Sequence, residues 1–542
     1  MSAIITRQNP PGDPLDEASS SRSIWQRLRD LFLNQKAANL AVAIALVIGF
    51  FHGYLKWRYR HPVMTFAFDI PLIIALGLVV SRLRSWSEFF PPGLASRWLR
   101  AFYVVVAIWF VLALVLPWGV PFLGALAAVR GWVFATLMFG LGYHIITTRR
   151  QFHGYFILII LLATATAIYA TRQTEDEVNA MREMDAYFER MTRGQGFVDD
   201  EGRYVLRRFS TFVSSGAFGG TMALSLIFLA ALLTDRTVGK GEKWILLVLA
   251  VIIGWGMFLS GSRTAVTCMA LGMALIVWKR KLPSYLWMLG GACAVGLFLG
   301  SEWTSGGIVD RYSTLSDTKS VLGRFWVVVI PGWNNLLKSS FIGGGLGKAA
   351  VGLPISLLSY FGRYQIWGVD GDLGKAMTEL GVVGTLVVIG MLIAGARDGF
   401  RVLNRHADNP IGTMALGAVS AFIIAMITFP TGSPFVGIPL GVLTWFFLGG
   451  LLRLDQIAAT ASKPLAPEAI QVPEERRSDQ GNKVAAPGFT PAEVSRDIRK
   501  RQPKRFLYAP RKPSNEWAPP VAPSEPPPAP KGQGAKKRFL YR

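Results

Sequence analysis

The sequence predicts an all-α polytopic membrane protein with about twelve transmembrane helices. Three observations carry that expectation. Apolar residues make up 51% of the chain. They gather in repeated runs of roughly 17–24 residues, the length a helix needs to cross about 30 Å of hydrocarbon. A helix also satisfies every backbone polar group within itself, as lipid requires. A soluble enzyme is excluded.

Residues 1–36 are polar, and the first apolar run is too long for a signal h-region and has no small-residue cleavage site. Ser23 to Gln26 reads as a capping box opening a short helix. Ile24, Trp25, Leu28, Leu31 and Phe32 share one face of it, as in an interfacial helix or a cytosolic extension of the first span. The predicted spans are 37–55, 64–80, 101–117, 121–147, 154–171, 214–233, 244–260, 264–279, 284–300, 373–395, 411–429 and 437–452. Cys268 and Cys293 both fall inside spans, so no disulfide framework is expected. Two intervening segments are long. Residues 172–212 carry a Thr174–Glu177 capping box, with Val178, Met181, Tyr187/Phe188 and Met191 at helical spacing. Residues 301–372 hold no span-like run, but Trp303, Phe325, Trp326, Trp333, Phe341, Tyr360 and Trp367 argue against disorder there. From about 456 the chain turns rich in proline, lysine and arginine and reads as a disordered tail. In it Lys504-Arg505-Phe506-Leu507-Tyr508 recurs as Lys537-Arg538-Phe539-Leu540-Tyr541, a basic-aromatic pentad suited to anionic lipid or a partner protein. The domain organisation is therefore an N-terminal segment 1–36, a membrane domain 37–452 and a tail 453–542.

Net charge is +23, and its placement orients the chain. With the N-terminus inside, cytoplasmic connections carry Arg82, Arg84, Arg97 and Arg100, then Arg149 and Arg150, then Arg236, Lys240 and Lys243, then Lys279, Arg280 and Lys281, then Arg397, Arg401 and Arg405. The opposite short loops near 118–120 and 430–436 carry none, which fits the positive-inside rule. Lys56, Arg58 and Arg60 disagree with it, so the first hairpin is the weakest part of this topology. Orientation and tail account for the positive charge, so no nucleic-acid partner is expected.

The outward side collects Arg207, Arg208, Arg263, Arg311 and Arg324. Guanidinium cannot shed its proton and grips phosphate through a planar fork, so converging arginines at a membrane surface suit a lipid-linked pyrophosphate. Taken alone, Arg207 and Arg311 read equally as interface anchors or ion-pair partners, whereas Arg263 reads first as an anion ligand. Arg130 lies within an apolar run, where it lines a polar cavity or sits near a tilted helix end.

Four pieces occur in order: Arg208-Phe-Ser-Thr-Phe with Ala217-Phe218-Gly219; Leu259-Ser260-Gly261-Ser262-Arg263-Thr264-Ala265; Gly323-Arg324-Phe325-Trp326 with Ile342-Gly343-Gly344-Gly345-Leu346-Gly347; and Glu379-Leu380-Gly381-Val382-Val383-Gly384. Together, over about residues 205–395, they resemble the O-antigen ligase/polymerase superfamily of bacterial envelopes. That resemblance implies a GT-C-like glycosyltransferase of the inner membrane with its active site facing the periplasm. It would move a saccharide from undecaprenyl pyrophosphate to an acceptor without a nucleotide sugar or a cofactor. The tail lies outside the resemblance; its basic-aromatic pentads are what would reach other polysaccharide-assembly proteins. Arg263 and Arg324 would hold the pyrophosphate and stabilise charge on the leaving group. Arg208, Arg311, Arg130, Ser262, Asp372, Glu379 and the Gly343, Gly344 and Gly345 run would line the substrate. Those glycines equally read as a turn ending a helix.

Ligases of the superfamily carry a histidine where this chain has Asp370. The resemblance therefore leans to the polymerase branch, with Asp370 as general base towards an acceptor hydroxyl. Asp372 reads as a helix N-cap, with Glu379 about two turns on along the same stripe. Asp370-Gly371-Asp372 also spells a metal-binding Asp-x-Asp, but the arginines supply the positive charge and no metal is expected. The alternatives are a ligase acting on lipid A-core and a transporter of lipid-linked glycan. A transporter would call for internal repeats, which the sequence does not show.

Overall fold

The computed structural model describes residues 37–59, 61–116, 119–184, 189, 192, 195–198, 202, 204–280, 287, 289–291, 312, 318–339, 341–349, 367, 369–435 and 437–461. The N-terminal helix, span 284–300 for the most part, Tyr187, Phe188, Met191, Arg311 and the tail with its two pentads lie outside these residues. Among the described residues the fold is helical: α1 Ala37–Phe50, α2 His52–Tyr59, α3 Asp69–Val80, α4 Leu94–Val115, α5 Phe122–Ile145, α6 Arg149–Arg172, α7 Glu175–Met184, α8 Ser215–Thr234, α9 Lys240–Leu259, α10 Arg263–Arg280, α11 Thr318–Lys338, α12 Asp372–Arg405, α13 Pro410–Thr428 and α14 Leu440–Ala461. One antiparallel hairpin, β1 Gly196–Val198 with β2 Tyr204–Leu206, pairs Phe197 with Val205.

Eight of these helices are long and apolar enough to cross a membrane, and α1 with α2, bent by 69°, makes a ninth. The chain is thus a multi-pass membrane protein. The expected second and eighth spans fall short for visible reasons. Helix α3 has only 12 residues, and the 18 residues of α10 include Arg263, Lys279 and Arg280 at its ends. Residues 301–372 are not loop throughout. They contain the 21-residue α11, whose apolar residues are interrupted by Pro331 and Asn335 and so escape a search for continuous runs.

Local sequence starts the helices. Thr148 and Gln151 close a capping box at α6, and the Ser214 hydroxyl accepts from the Ala217 amide at the start of α8. Pro410 occupies the first turn of α13, where its missing N–H costs nothing. Helix α8 is the hub: sixteen of its twenty residues are buried, and it packs against α6, α9, α10 and α13. Phe152, Phe156, Phe228 and Phe447 stack at its centre, with the Phe156 and Phe228 rings 4.2 Å apart.

The helix ends sort into two sides. On one, Arg149 and His153 meet Asp235 at 3.1 and 3.2 Å, Arg405 and His406 meet Asp455 at 2.8 and 3.0 Å, and Lys279 reaches Asn404. Burial alone would raise the Asp235 carboxyl, but His153, the Thr237 amide and Arg149 outweigh it and hold the group well below the usual carboxylate range. The other side holds the ends of α1, α6, α9 and α13 and the starts of α8, α10, α12 and α14. There the Tyr54 amide donates to Thr211 O, and the Asp372 amide to Gly432 O. Helix α7 lies on this side as expected from its pattern. Its Glu177 amide donates to the Thr174 hydroxyl, and Val178 and Met181 pack with Phe209, Leu206 and Trp57.

Candidate functional site

Between α8, α10 and α13, at the end where α8 and α10 begin, a cavity of about 610 Å³ opens. Its rim is polar: Gln195, Arg207, Ser214, Ser215, Ser262, Thr264, Asp370, Thr428, Thr431 and Ser433. Its depth is apolar and lined by small residues, including Gly220, Ala223, Ala265, Cys268, Ala421 and Ala425. An anionic group at the rim would meet a cation and the N-terminus of α8, whose dipole favours negative charge. An apolar extension of the same molecule would meet hydrocarbon-like walls.

Several rim groups are held by their neighbours. The Gln195 side chain accepts from the Ser215 amide at 2.8 Å, and the Arg207 amide donates to Gln195 O. The Arg207 guanidinium donates through Nε to Ser260 O at 3.3 Å, and the residue lines the cavity. The Ser262 hydroxyl accepts from the Ala265 amide at the first turn of α10. Asp370 is exposed, one residue before Gly371, whose φ of +74° brings the chain against Pro430 O.

The predicted site residues divide. Asp370 and Ser262 share the cavity, together with Arg207. Arg208 turns the other way: its Nη1 donates to Ala170 O and Thr171 O at 2.8 Å each, closing the C-terminal end of α6. Arg263, the first residue of α10, is half-buried and sits between the lining residues Ser262 and Thr264 without lining the cavity itself. Arg130 pairs with Asp69 of α3 and lies 5.3 Å from the Phe66 ring, away from the cavity. Arg324 belongs to α11, and its side chain lies outside the described residues, as does all of Arg311. Tyr312, beside Arg311, donates to Phe258 O near the end of α9.

Asp372 is the first helical residue of α12, with Gly371 rather than Asp372 in the cap position. Its carboxylate accepts from the Phe435 amide at 2.9 Å and pairs with Lys375, which also bonds Ser433. It therefore fastens α12 to the 429–435 segment. Gly343, Gly344 and Gly345 form a turn packed on a break in α12 at Gly381, whose φ and ψ are +64° and −164°. A Cβ on Gly343 would lie 2.6 Å from Gly381 N, so backbone approaches backbone there. Glu379, fully buried beside the break, accepts from Trp132 Nε1 at 2.8 Å and from the Ala349 amide at 3.0 Å. Lys348, next along the turn, is buried, and burial pushes its ammonium down.

Sequence reasoning passed over Gln195, the hydroxyls of 428–433 and the pairing of Glu379 with Trp132. Only the last had a signal, since a carboxylate inside an apolar helix requires donors. Among the described residues no group of three or more His, Cys, Asp or Glu could hold a metal ion. The chain matches no protein-family model and no curated protein.

Proposed function

We propose that the protein is a membrane glycosyltransferase that joins lipid-linked repeat units of a surface polysaccharide, taking undecaprenyl pyrophosphate as the carrier. The single observation that carries this reading is the cavity: a cation, a helix N-terminus, hydroxyls and a carboxylate surround one space that continues into apolar depth. That distribution suits an amphiphile with a charged head. In this reading the pyrophosphate lies at Arg207, the start of α8 and Ser262, while the lipid enters the apolar part. The acceptor hydroxyl attacks the anomeric carbon, Asp370 takes its proton, and the bond from that carbon to the pyrophosphate oxygen breaks. Fixed donors stabilise the charge gathering on the leaving diphosphate. The roles of Arg263 and Arg324, the GT-C-like architecture, the twelve crossings and the periplasmic location rest on the resemblance. Asp370 lines the cavity at the position where ligases of the resembled superfamily carry a histidine, which favours polymerisation over ligation.

The test is transfer by purified protein in detergent, given lipid-linked oligosaccharide but no nucleotide sugar and no ion gradient. Carrier-bound products that are two or more units long support the reading. Unchanged substrate from well-folded protein refutes it, and transfer only to an added lipid A-core acceptor would shift the reading to ligation.

A further inference from the structure

Helix α12 is two helices in series. The backbone of Gly381 lies in a conformation that other residues strongly avoid, and it separates Asp372–Leu380 from the long remainder. Both ends of the first piece are fastened to something other than the rest of α12. At its start, the Asp372 and Leu373 amides donate to Gly432 O and Phe429 O at 2.7 and 3.1 Å, and the Asp372 carboxylate accepts from the Phe435 amide. At its finish, the Gly344 amide donates to Thr378 O at 2.7 Å, and the Asn335 side chain to the Thr378 hydroxyl at 3.3 Å. Glu379 ties the strut to the α5 scaffold through Trp132 and to the 341–349 turn through Ala349. The Trp109 indole adds a bond to Ile342 O.

We propose that Glu379 is a positioning residue: it latches the strut Asp372–Leu380 between the 341–349 turn and the cavity wall, and so sets where Asp370, Thr431 and Ser433 stand. This rests on the transfer reading for its catalytic consequence, though not for its geometry. Asp370 precedes the strut by two residues, and Thr431 and Ser433 flank the Gly432 carbonyl that the strut holds. Glu379 itself is fully buried and does not line the cavity, so its effect on substrate passes through the strut.

Two readouts test it. The first is transfer kinetics of Glu379→Ala, Glu379→Gln and the double variant Trp132→Phe/Glu379→Gln. A strut displaced by about an ångström lowers kcat at least tenfold while leaving KM for the lipid donor within about twofold. Glutamine places an amide N–H against an N–H of Trp132 or Ala349. Removing the indole donor relieves that clash, so the double variant is no worse than Glu379→Gln alone. The second readout is maleimide labelling of Thr431→Cys in protein lacking Cys268 and Cys293. Its rate changes at least about fivefold on adding Glu379→Ala, or Glu379→Gln should the alanine variant not fold. If the wild type shows no transfer but the labelling rate changes, the strut stands and the transfer reading falls. Unchanged labelling, or a strictly additive double variant, overturns the latch even in a protein with full transfer.

Discussion

Arg207 and Arg208 are sequence neighbours that the structure sends in opposite directions, and replacing each by alanine separates binding from stability. The Arg208 guanidinium makes two hydrogen bonds of 2.8 Å to Ala170 O and Thr171 O at the end of α6. A charged hydrogen bond contributes about 1.5–3 kcal/mol, so losing both in Arg208→Ala destabilises the protein by about 3–6 kcal/mol. Carbonyls at the C-terminal end of α6 also lose the cation that complements the helix dipole. The Arg207 bond to Ser260 O is long, 3.3 Å, and contributes about 1 kcal/mol. Its larger contribution falls on the bound diphosphate. Removing one preorganised donor from such a site costs about 2–4 kcal/mol, which is roughly 30- to 1,000-fold in affinity. The assay is thermal unfolding in detergent, paired with equilibrium binding of polyprenyl pyrophosphate to the same preparations. Arg207→Ala is expected to unfold near the wild-type temperature and to bind far more weakly. Arg208→Ala is expected to unfold much earlier, with near-normal affinity where it remains folded. The reverse pattern, or equal effects from both, would refute the division of labour between the two side chains.

Asp370→Asn keeps donor affinity within a few-fold but slows transfer by about a hundredfold or more, measured as single-turnover product formation. Wild-type transfer rates in that variant would remove Asp370 as the base. Gly381→Ala forces a side chain into a region of backbone space costing about 1–3 kcal/mol and drives its Cβ into Ile342 O, so its unfolding temperature drops sharply. An unchanged unfolding temperature would show that the break is not needed. The Asp235 carboxyl has a folded pKa below its unfolded one, so its stabilising contribution is complete above the unfolded value, about pH 4, and is lost as pH falls towards the folded value. Asp235→Asn therefore lowers stability at neutral pH and flattens the acid limb of the stability profile; a parallel profile would contradict this. Chelator treatment leaves transfer intact, whereas loss restored by Mg²⁺ or Mn²⁺ would place a divalent ion in the reaction.

Continuous apolar runs gave away the membrane character and most of the helices, because lipid imposes one signal on every crossing. Where that signal fails, the reason is physical. Helix α11 mixes Asn335, Pro331 and glycines into its apolar residues because it packs against α12 through Gly332 and Gly374. Its helical character therefore depends on a partner and not on length. Asp370 and Ser262 were legible through the motifs around them. The choice between Arg207 and Arg208 was not, since successive residues of an extended segment face opposite ways and a pair of identical residues hides which one faces the ligand. Glu379 was noticed as an acid on the stripe of Asp372, yet its partners, Trp132 and Ala349, lie 247 and 30 residues away in sequence. The glycines at 343–345 illustrate the same limit, because their close approach is to Gly381 and only the folded chain reveals that neighbour.

A structure of the Asp370→Asn variant with a polyprenyl-pyrophosphate-linked sugar bound would examine the core idea most directly. The diphosphate is expected within hydrogen-bonding distance, about 2.7–3.2 Å, of the Arg207 guanidinium, with residue 370 beside the anomeric carbon and the lipid between α8, α10 and α13. A head group bound elsewhere, at Arg130 for instance, with the cavity between those helices left empty, would contradict it.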